Sequence, residues 1–133
     1  MTYVIAYIST LIAFFAIDIA WLGLIAKKFY AEQLGDMLLE SPKWGVAIIF
    51  YLLYIAGIVF FAVKPALESE TVLKATLYGA LFGFFCYATY DLTNLATLKG
   101  WPPKMVIVDI VWGTVLTAAC ASAGAWVTLK FAT

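Results

Sequence analysis

The stretch TYVIAYISTLIAFFAIDIAWLGLIA, residues 2–26, decides the fold class of this chain. It contains one charged side chain, Asp18, and it is followed directly by Lys27 and Lys28. An apolar run of about 20 residues is long enough to cross the hydrocarbon core of a bilayer as an α-helix. The basic residues follow the run instead of preceding it, so we interpret the run as a retained transmembrane helix and not as a secretory signal peptide.

Three further apolar runs of similar length follow along the chain. Ser41 and Pro42 are typical of a helix start, and Pro65 is typical of a helix end. The sequence therefore predicts an all-α polytopic membrane protein, in which residues 1–133 form a single four-helix transmembrane bundle. The predicted helices cover about 2–26, 43–63, 71–98 and 104–131.

The composition of the whole chain agrees with this interpretation. Of its 133 residues, 65% are hydrophobic and 12% are charged, with eight Lys plus Arg against eight Asp plus Glu. A soluble domain carries about twice that charged fraction. The balanced charge argues against nucleic acid as a partner, and the lack of histidine in the sequence argues against histidine-ligated metals and histidine-based triads. We expect the lipid bilayer as a partner, no metal and no cofactor.

The lysines predict an orientation for the bundle. One side of it, called the five-lysine face below, holds Lys27, Lys28, Lys43, Lys99 and Lys104. The other side holds three lysines. The positive-inside rule then places the five-lysine face in the cytoplasm and both termini on the opposite side of the membrane.

The connector at residues 28–41 is the longest loop of the predicted bundle. Its acids Glu32, Asp36 and Glu40 recur every four residues, so they would form one stripe on a helix. Two interpretations remain open, namely an interfacial helix at about 29–40 that covers the bundle as a lid, or a solvated amphipathic linker.

Three aspartates inside the apolar runs are the main candidates for function. Asp18, Asp91 and Asp109 lie nine, eight and five residues from lysines of the five-lysine face. At about 1.5 Å per helical residue, the three carboxyls reach similar depths, about 8–13 Å from that face. A charged aspartate costs about 2.5–3.5 kcal/mol near the bilayer centre, so three at one depth indicate a function.

Aromatic residues share the helix faces of these aspartates. Trp21 and Trp112 each follow their aspartate by three residues, which places each pair on one helix face. We therefore predict an acidic, aromatic-walled pocket that opens toward the five-lysine face. Its predicted ligand-binding residues are Asp18, Trp21, Tyr51, Tyr54, Tyr87, Tyr90, Asp91, Asn94, Asp109 and Trp112. Close helix packing is predicted for Gly79, Gly83 and Gly113.

A pocket of this chemistry suits an amphiphilic or cationic small molecule. The sequence places no lysine, arginine or histidine at the depth of the aspartates, so protons or a bound cation must supply the missing positive charge. A carboxylate beside tryptophan binds an organic cation through ion pairing and cation–π contact, and proton exchange at the same acids would drive transport. The alternative is structural, with each aspartate bonded to hydroxyls of neighbouring helices.

Three functions follow from these observations and remain open. The first is binding or transport of such a molecule, by a homodimer and with proton coupling. The second is a structural or accessory subunit of a membrane complex. The third is a lipid-modifying membrane enzyme, against which the missing histidine and arginine count.

Several motifs resemble those of a known family. They are the run YATYDLTNLATLKGWP at residues 87–102, Asp18-x-x-Trp21-Leu-Gly, Phe29-Tyr30 and Asp109-x-x-Trp112-Gly. Together they resemble DUF2177, a bacterial family of small predicted membrane proteins, over essentially the whole chain. The resemblance implies four spans in the bacterial inner membrane, and it supplies no activity, cofactor or catalytic residue.

Overall fold

The computed structural model of the chain describes residues 1–132, and it shows four long helices and no strand among them. Helix α1 covers Thr2–Met37, α2 covers Trp44–Glu68, α3 covers Val72–Thr97 and α4 covers Pro103–Phe131. Each helix is long and apolar enough to cross a membrane. The predicted all-α fold with four membrane-spanning helices is therefore confirmed.

Helix α1 continues beyond the end that the sequence predicts at residue 26. Its first α-helical part, Thr2–Trp21, passes through a π-helical turn at Leu22–Ala26 into a second α-helical part, Lys27–Leu34. Lysine favours the helix, so a lysine pair does not end it. The α-helical part ends at Gly35, which has a φ of 54°, a value that favours glycine.

The end of α1 takes the place of a separate interfacial helix at 29–40. A 3₁₀ turn at Gly35–Met37 follows the α-helical part, and an irregular connector leads to the start of α2 at Trp44. Most of the acid stripe in this stretch faces outward, and Glu32 and Asp36 are exposed. The connector thus lies near the bundle end where α1 finishes and α2 begins.

Helix α2 packs into the bundle through its second half. Ile55, Ile58 and Val63 are fully buried, and a π-helical turn at Val59–Val63 lies within this part. The first two turns, at residues 44–50, are almost entirely exposed. Because these turns make little contact with the other helices, space remains between them and α1 at the five-lysine face.

Helices α3 and α4 approach each other closely because small residues line their contact. A Cβ atom added at Gly83 would overlap the carbonyl oxygen of Gly113 and the side chain of Thr117. One added at Gly79 would lie 2.8 Å from the Cβ of Ala121. Glycine at these positions lets the two backbones touch, as in other membrane helix pairs with small residues at the interface.

Helix α4 is the central element of the bundle. Its Gly124 lies against Thr10 of α1, and its Thr117 hydroxyl forms a 2.7 Å hydrogen bond with Tyr54 of α2. Contact with all three other helices fixes the direction in which α4 presents its side chains. Asp109 and Trp112, near its first turns, are therefore held among α1, α2 and α3.

Candidate functional site

A cavity of about 640 Å³ lies at the five-lysine end of the bundle. Residues of all four helices and of the α1–α2 connector form its wall. Pockets for small molecules have volumes of about 300–1,000 Å³, so this cavity is large enough for a drug-sized ligand. Its carboxylate-bearing wall residues are Asp18, Glu40 and Asp109, and its aromatic ones are Trp21, Tyr30, Trp44, Tyr51, Tyr87, Tyr90 and Trp112.

The deepest part of the cavity, called the floor below, is built from the two Asp-Ile-x-Trp motifs of α1 and α4. The indole rings of Trp21 and Trp112 stack with centroids 4.3 Å apart and planes 11° from parallel. The indole of Trp112 also lies beside the carboxyl of Asp18 across the helix pair. Asp18 and Asp109 are each 8% exposed, so both carboxyls lie largely inside the protein. Each motif thus supports the other.

Tyr30, which is not among the predicted ligand-binding residues, adds a hydrogen bond to the floor. Its hydroxyl donates to Oδ1 of Asp109 at 2.6 Å, which joins the last part of α1 to α4. The indole N–H of Trp21 is buried near this hydroxyl, and no acceptor of the described residues has hydrogen-bond geometry to it.

The π-helical turn of α1 explains why Tyr30 reaches the floor. Tyr30 follows Asp18 by twelve residues, and an uninterrupted α-helix would place it roughly 120° around the axis from Asp18. A single π turn absorbs one extra residue and rotates the following residues back by roughly 100°. Tyr30 then lies on the same face of α1 as Asp18. The motif Phe29-Tyr30 was visible in the sequence, but α-helical periodicity points it elsewhere.

Asp91 lies behind the floor and not on the cavity wall. It is 0% exposed, and no hydroxyl or N–H group of the described residues donates to either of its carboxyl oxygens. Its carboxyl lies against that of Asp109 on α4. The three aspartates therefore form one group, of which Asp18 and Asp109 face the cavity and Asp91 does not.

The remaining predicted residues divide into two sets. Tyr51, Tyr87 and Tyr90 lie on the cavity wall. Tyr54 lies in the apolar core, where its hydroxyl bonds Thr117, and it does not line the cavity. Asn94 is also absent from the wall, and its backbone carbonyl accepts a hydrogen bond from the N–H of Leu98 at the end of α3.

Lys27 also lines the cavity, because α1 continues past it. It follows Asp18 by nine residues, which corresponds to about 13 Å along the helix axis. Lys27 is exposed, so it stays at the surface although the helix continues past it. Lys27 and Glu40 belong to the outer part of the cavity, called the mouth below, while Asp18 and Asp109 belong to the floor.

Within residues 1–132, no group of three His, Cys, Asp or Glu is arranged to hold a metal ion.

The family of the chain is shown by a sequence comparison. The model of a family described as "Predicted membrane protein (DUF2177)" matches residues 3–126. The chain belongs to this family. Every residue of the floor lies within the matched range of the DUF2177 model. Searches of curated proteins and of solved structures find no match to the chain. Membership in DUF2177 confirms a membrane protein and assigns no activity, so a function must be argued from the site.

Replacing Tyr30 by phenylalanine should loosen the end of α1. A hydrogen bond to a charged group contributes about 1.5–3 kcal/mol, and this bond ties residues 27–34 to α4. We expect amide hydrogen exchange in residues 27–34 to accelerate roughly tenfold or more in Tyr30→Phe. Tyr3→Phe, at the exposed opposite end of α1, serves as the control. Unchanged exchange at 27–34 would show that the hydroxyl does not hold this segment.

Proposed function

We propose that this protein binds a small organic cation with an apolar portion and moves it across the membrane. The observation that carries the proposal is the floor, where two buried carboxyls and a stacked tryptophan pair face one cavity of about 640 Å³. The second open function, an accessory subunit, requires no such cavity. The third, a lipid-modifying enzyme, gains no support, because nothing on the wall resembles an activated nucleophile.

The chemistry of the floor favours an organic cation over other ligands. An ammonium group near Asp18 and Asp109 gains ion pairing, and the faces of Trp21, Trp112 and Tyr87 add cation–π attraction of up to about 2 kcal/mol at a desolvated site. The apolar residues Leu34, Leu38 and Leu39 line the outer wall and suit a hydrocarbon portion. A ligand with both parts would contact both regions at once.

The cavity is closed toward the side of the membrane that holds the termini. Phe14, Ile55 and Leu116 are buried below it, and the Tyr54–Thr117 hydrogen bond crosses the same layer. Transport therefore requires this layer to open in a second conformation of the bundle. With the five-lysine face in the cytoplasm of a bacterial inner membrane, the cavity mouth would face the cytoplasm and both termini the periplasm.

Protons are expected to compete with the cation at the floor. A protonated carboxyl no longer attracts an ammonium group, so acidification should weaken binding, and raising the pH should restore it. This competition would couple the movement of the cation to a proton gradient. A homodimer would supply the additional helices that four short spans lack for a closed translocation path.

Calorimetric titration of the protein in lipid nanodiscs tests the proposal. The probe is benzyltrimethylammonium, and the matched probe is neopentylbenzene, which has the same shape without the charge. We expect the cation to bind about 30-fold more tightly than the uncharged probe, which corresponds to about 2 kcal/mol. Empty nanodiscs correct for partition into lipid.

Two variants show whether the binding occurs at the floor. Asp18→Asn should reduce the affinity for benzyltrimethylammonium by about tenfold, since it removes one of two floor charges. Asp36→Asn should leave it unchanged, because Asp36 is exposed and lies outside the cavity wall. Equal binding of both probes, or an equal loss in both variants, would contradict the proposed function and favour the accessory-subunit alternative.

A further inference from the structure

Asp91 is a buried carboxyl that the proposed binding site does not use directly. Its side chain is 0% exposed and lies outside the wall of the cavity, so a ligand in the cavity does not touch it. Neither of its oxygens accepts a hydrogen bond from the described residues. A carboxylate in this position would have lost its hydration without gaining a donor, which is among the costliest states for a buried polar group.

The groups that face Asp91 offer it no positive charge. On α4 its neighbour is the carboxyl of Asp109. The phenols of Tyr30 on α1 and of Tyr90 on its own helix lie within electrostatic range. The Tyr30 hydroxyl already donates its proton to Asp109. Two adjacent buried carboxylates repel each other strongly, so the pair is stable only when it holds a proton.

We infer that Asp91 is held as a neutral carboxylic acid whose proton is donated to Asp109, and that Asp91 thereby positions Asp109 as the charged member of this pair. The inference places the negative charge on Asp109 because Asp109 accepts the Tyr30 hydroxyl and faces the cavity. Asp91 remains closed off behind it. In this arrangement Asp91 is a positioning residue, whose proton stays in place when the cavity fills.

The arrangement explains how one carboxylate is aimed at a cavity inside a membrane. The Tyr30 hydroxyl of α1 donates to Asp109, and with the inferred proton the carboxylic acid of Asp91 on α3 donates to it as well, so the Asp109 carboxyl would not rotate freely. The consequence for binding rests on the proposed function, whereas the location of the proton does not.

Infrared difference spectroscopy of the protein without ligand tests whether the Asp91–Asp109 pair holds a proton. In lipid films at neutral pH, wild type minus Asp91→Asn should show the loss of a protonated-carboxyl C=O band that shifts in heavy water. Wild type minus Asp36→Asn, at an exposed acid, should show the loss of carboxylate bands only. A loss of carboxylate bands in Asp91→Asn would overturn the inference.

Binding of benzyltrimethylammonium tests the positioning role. Asparagine at position 91 is neutral and keeps a donor, so Asp91→Asn should bind within about threefold of wild type. Leucine has a similar size and no donor, so Asp91→Leu should bind about tenfold more weakly. A tenfold loss in Asp91→Asn would show that the charge of Asp91 is needed and would overturn the inference, as would unchanged binding by Asp91→Leu.

The two tests separate this inference from the proposed function. If the wild type does not bind the probe at all, the proposed function fails, and the infrared bands still decide whether the Asp91–Asp109 pair holds a proton. If the wild type binds and both position-91 variants lose binding to the same degree while their elution and thermal stability match the wild type, the positioning role fails alone.

Discussion

Replacing Asp109 by asparagine should abolish most of the binding of benzyltrimethylammonium, with an affinity about 100-fold below that of the wild type. This loss corresponds to about 2.8 kcal/mol. Asp109 is the floor carboxyl that accepts the Tyr30 hydroxyl, and it is only 8% exposed, so its charge is poorly screened by water. Calorimetric titration in nanodiscs measures the effect directly.

The substitution isolates the charge of Asp109 from its structural contact. Asparagine keeps an Oδ1 atom that accepts the Tyr30 hydroxyl, so the α1–α4 link survives in Asp109→Asn. Size-exclusion elution and thermal unfolding should therefore match the wild type. Asp109→Glu, which keeps the charge on a longer side chain, should recover part of the affinity. Wild-type affinity in Asp109→Asn would show that the floor does not bind the cation.

Replacing Gly83 by leucine should prevent α3 and α4 from assembling. Even one added methyl group would overlap the backbone oxygen of Gly113. A backbone oxygen cannot move away by a change of side-chain rotamer. Overpacking costs about 1–3 kcal/mol for extra methylene groups in a core, and the cost here is at the upper end or above it. We expect Gly83→Leu to lower the thermal unfolding midpoint strongly or to eliminate the folded species in detergent.

The control for this prediction is a second glycine in a helix of the same protein. Gly45 lies in the first turn of α2, and an added Cβ there would meet no atom within 4 Å. Gly45→Leu should elute and unfold like the wild type. If Gly83→Leu also behaves like the wild type, the close approach of α3 and α4 is not what holds this bundle together.

The sequence alone predicts the four helices and the faces of α1 and α4 that carry the aspartates and tryptophans of the floor. It does so because a lipid environment requires long apolar helices, and because the depth of a side chain follows from its distance to a terminal lysine. The same arithmetic places Asp18 and Asp109 at similar depths. Their tryptophans, three residues further along, then share the faces that form the floor.

Two features of the site could not be predicted from α-helical periodicity. The π-helical turn at Leu22–Ala26 changes the face on which Tyr30 lies, and apolar pattern gives no signal for such a turn. The position of Asp91 behind Asp109 depends on the rotation of α3 against α4, which the small residues at their contact determine. The depth of a side chain in the membrane can therefore be predicted from a single sequence. The rotation of a helix about its axis depends on tertiary packing and cannot.

Under the proposed function, the depth of the floor below Lys27 also determines which cations can reach the floor. An ion that travels about 13 Å inward from the mouth must shed its hydration shell. Small inorganic ions such as Mg²⁺ dehydrate reluctantly and need oxygen ligands all around them. The floor offers two carboxyls beside indole faces, which solvate such an ion poorly. The methyl groups of a quaternary ammonium shield its charge, so the ion is weakly hydrated. The cavity would therefore select among cations by their free energy of dehydration.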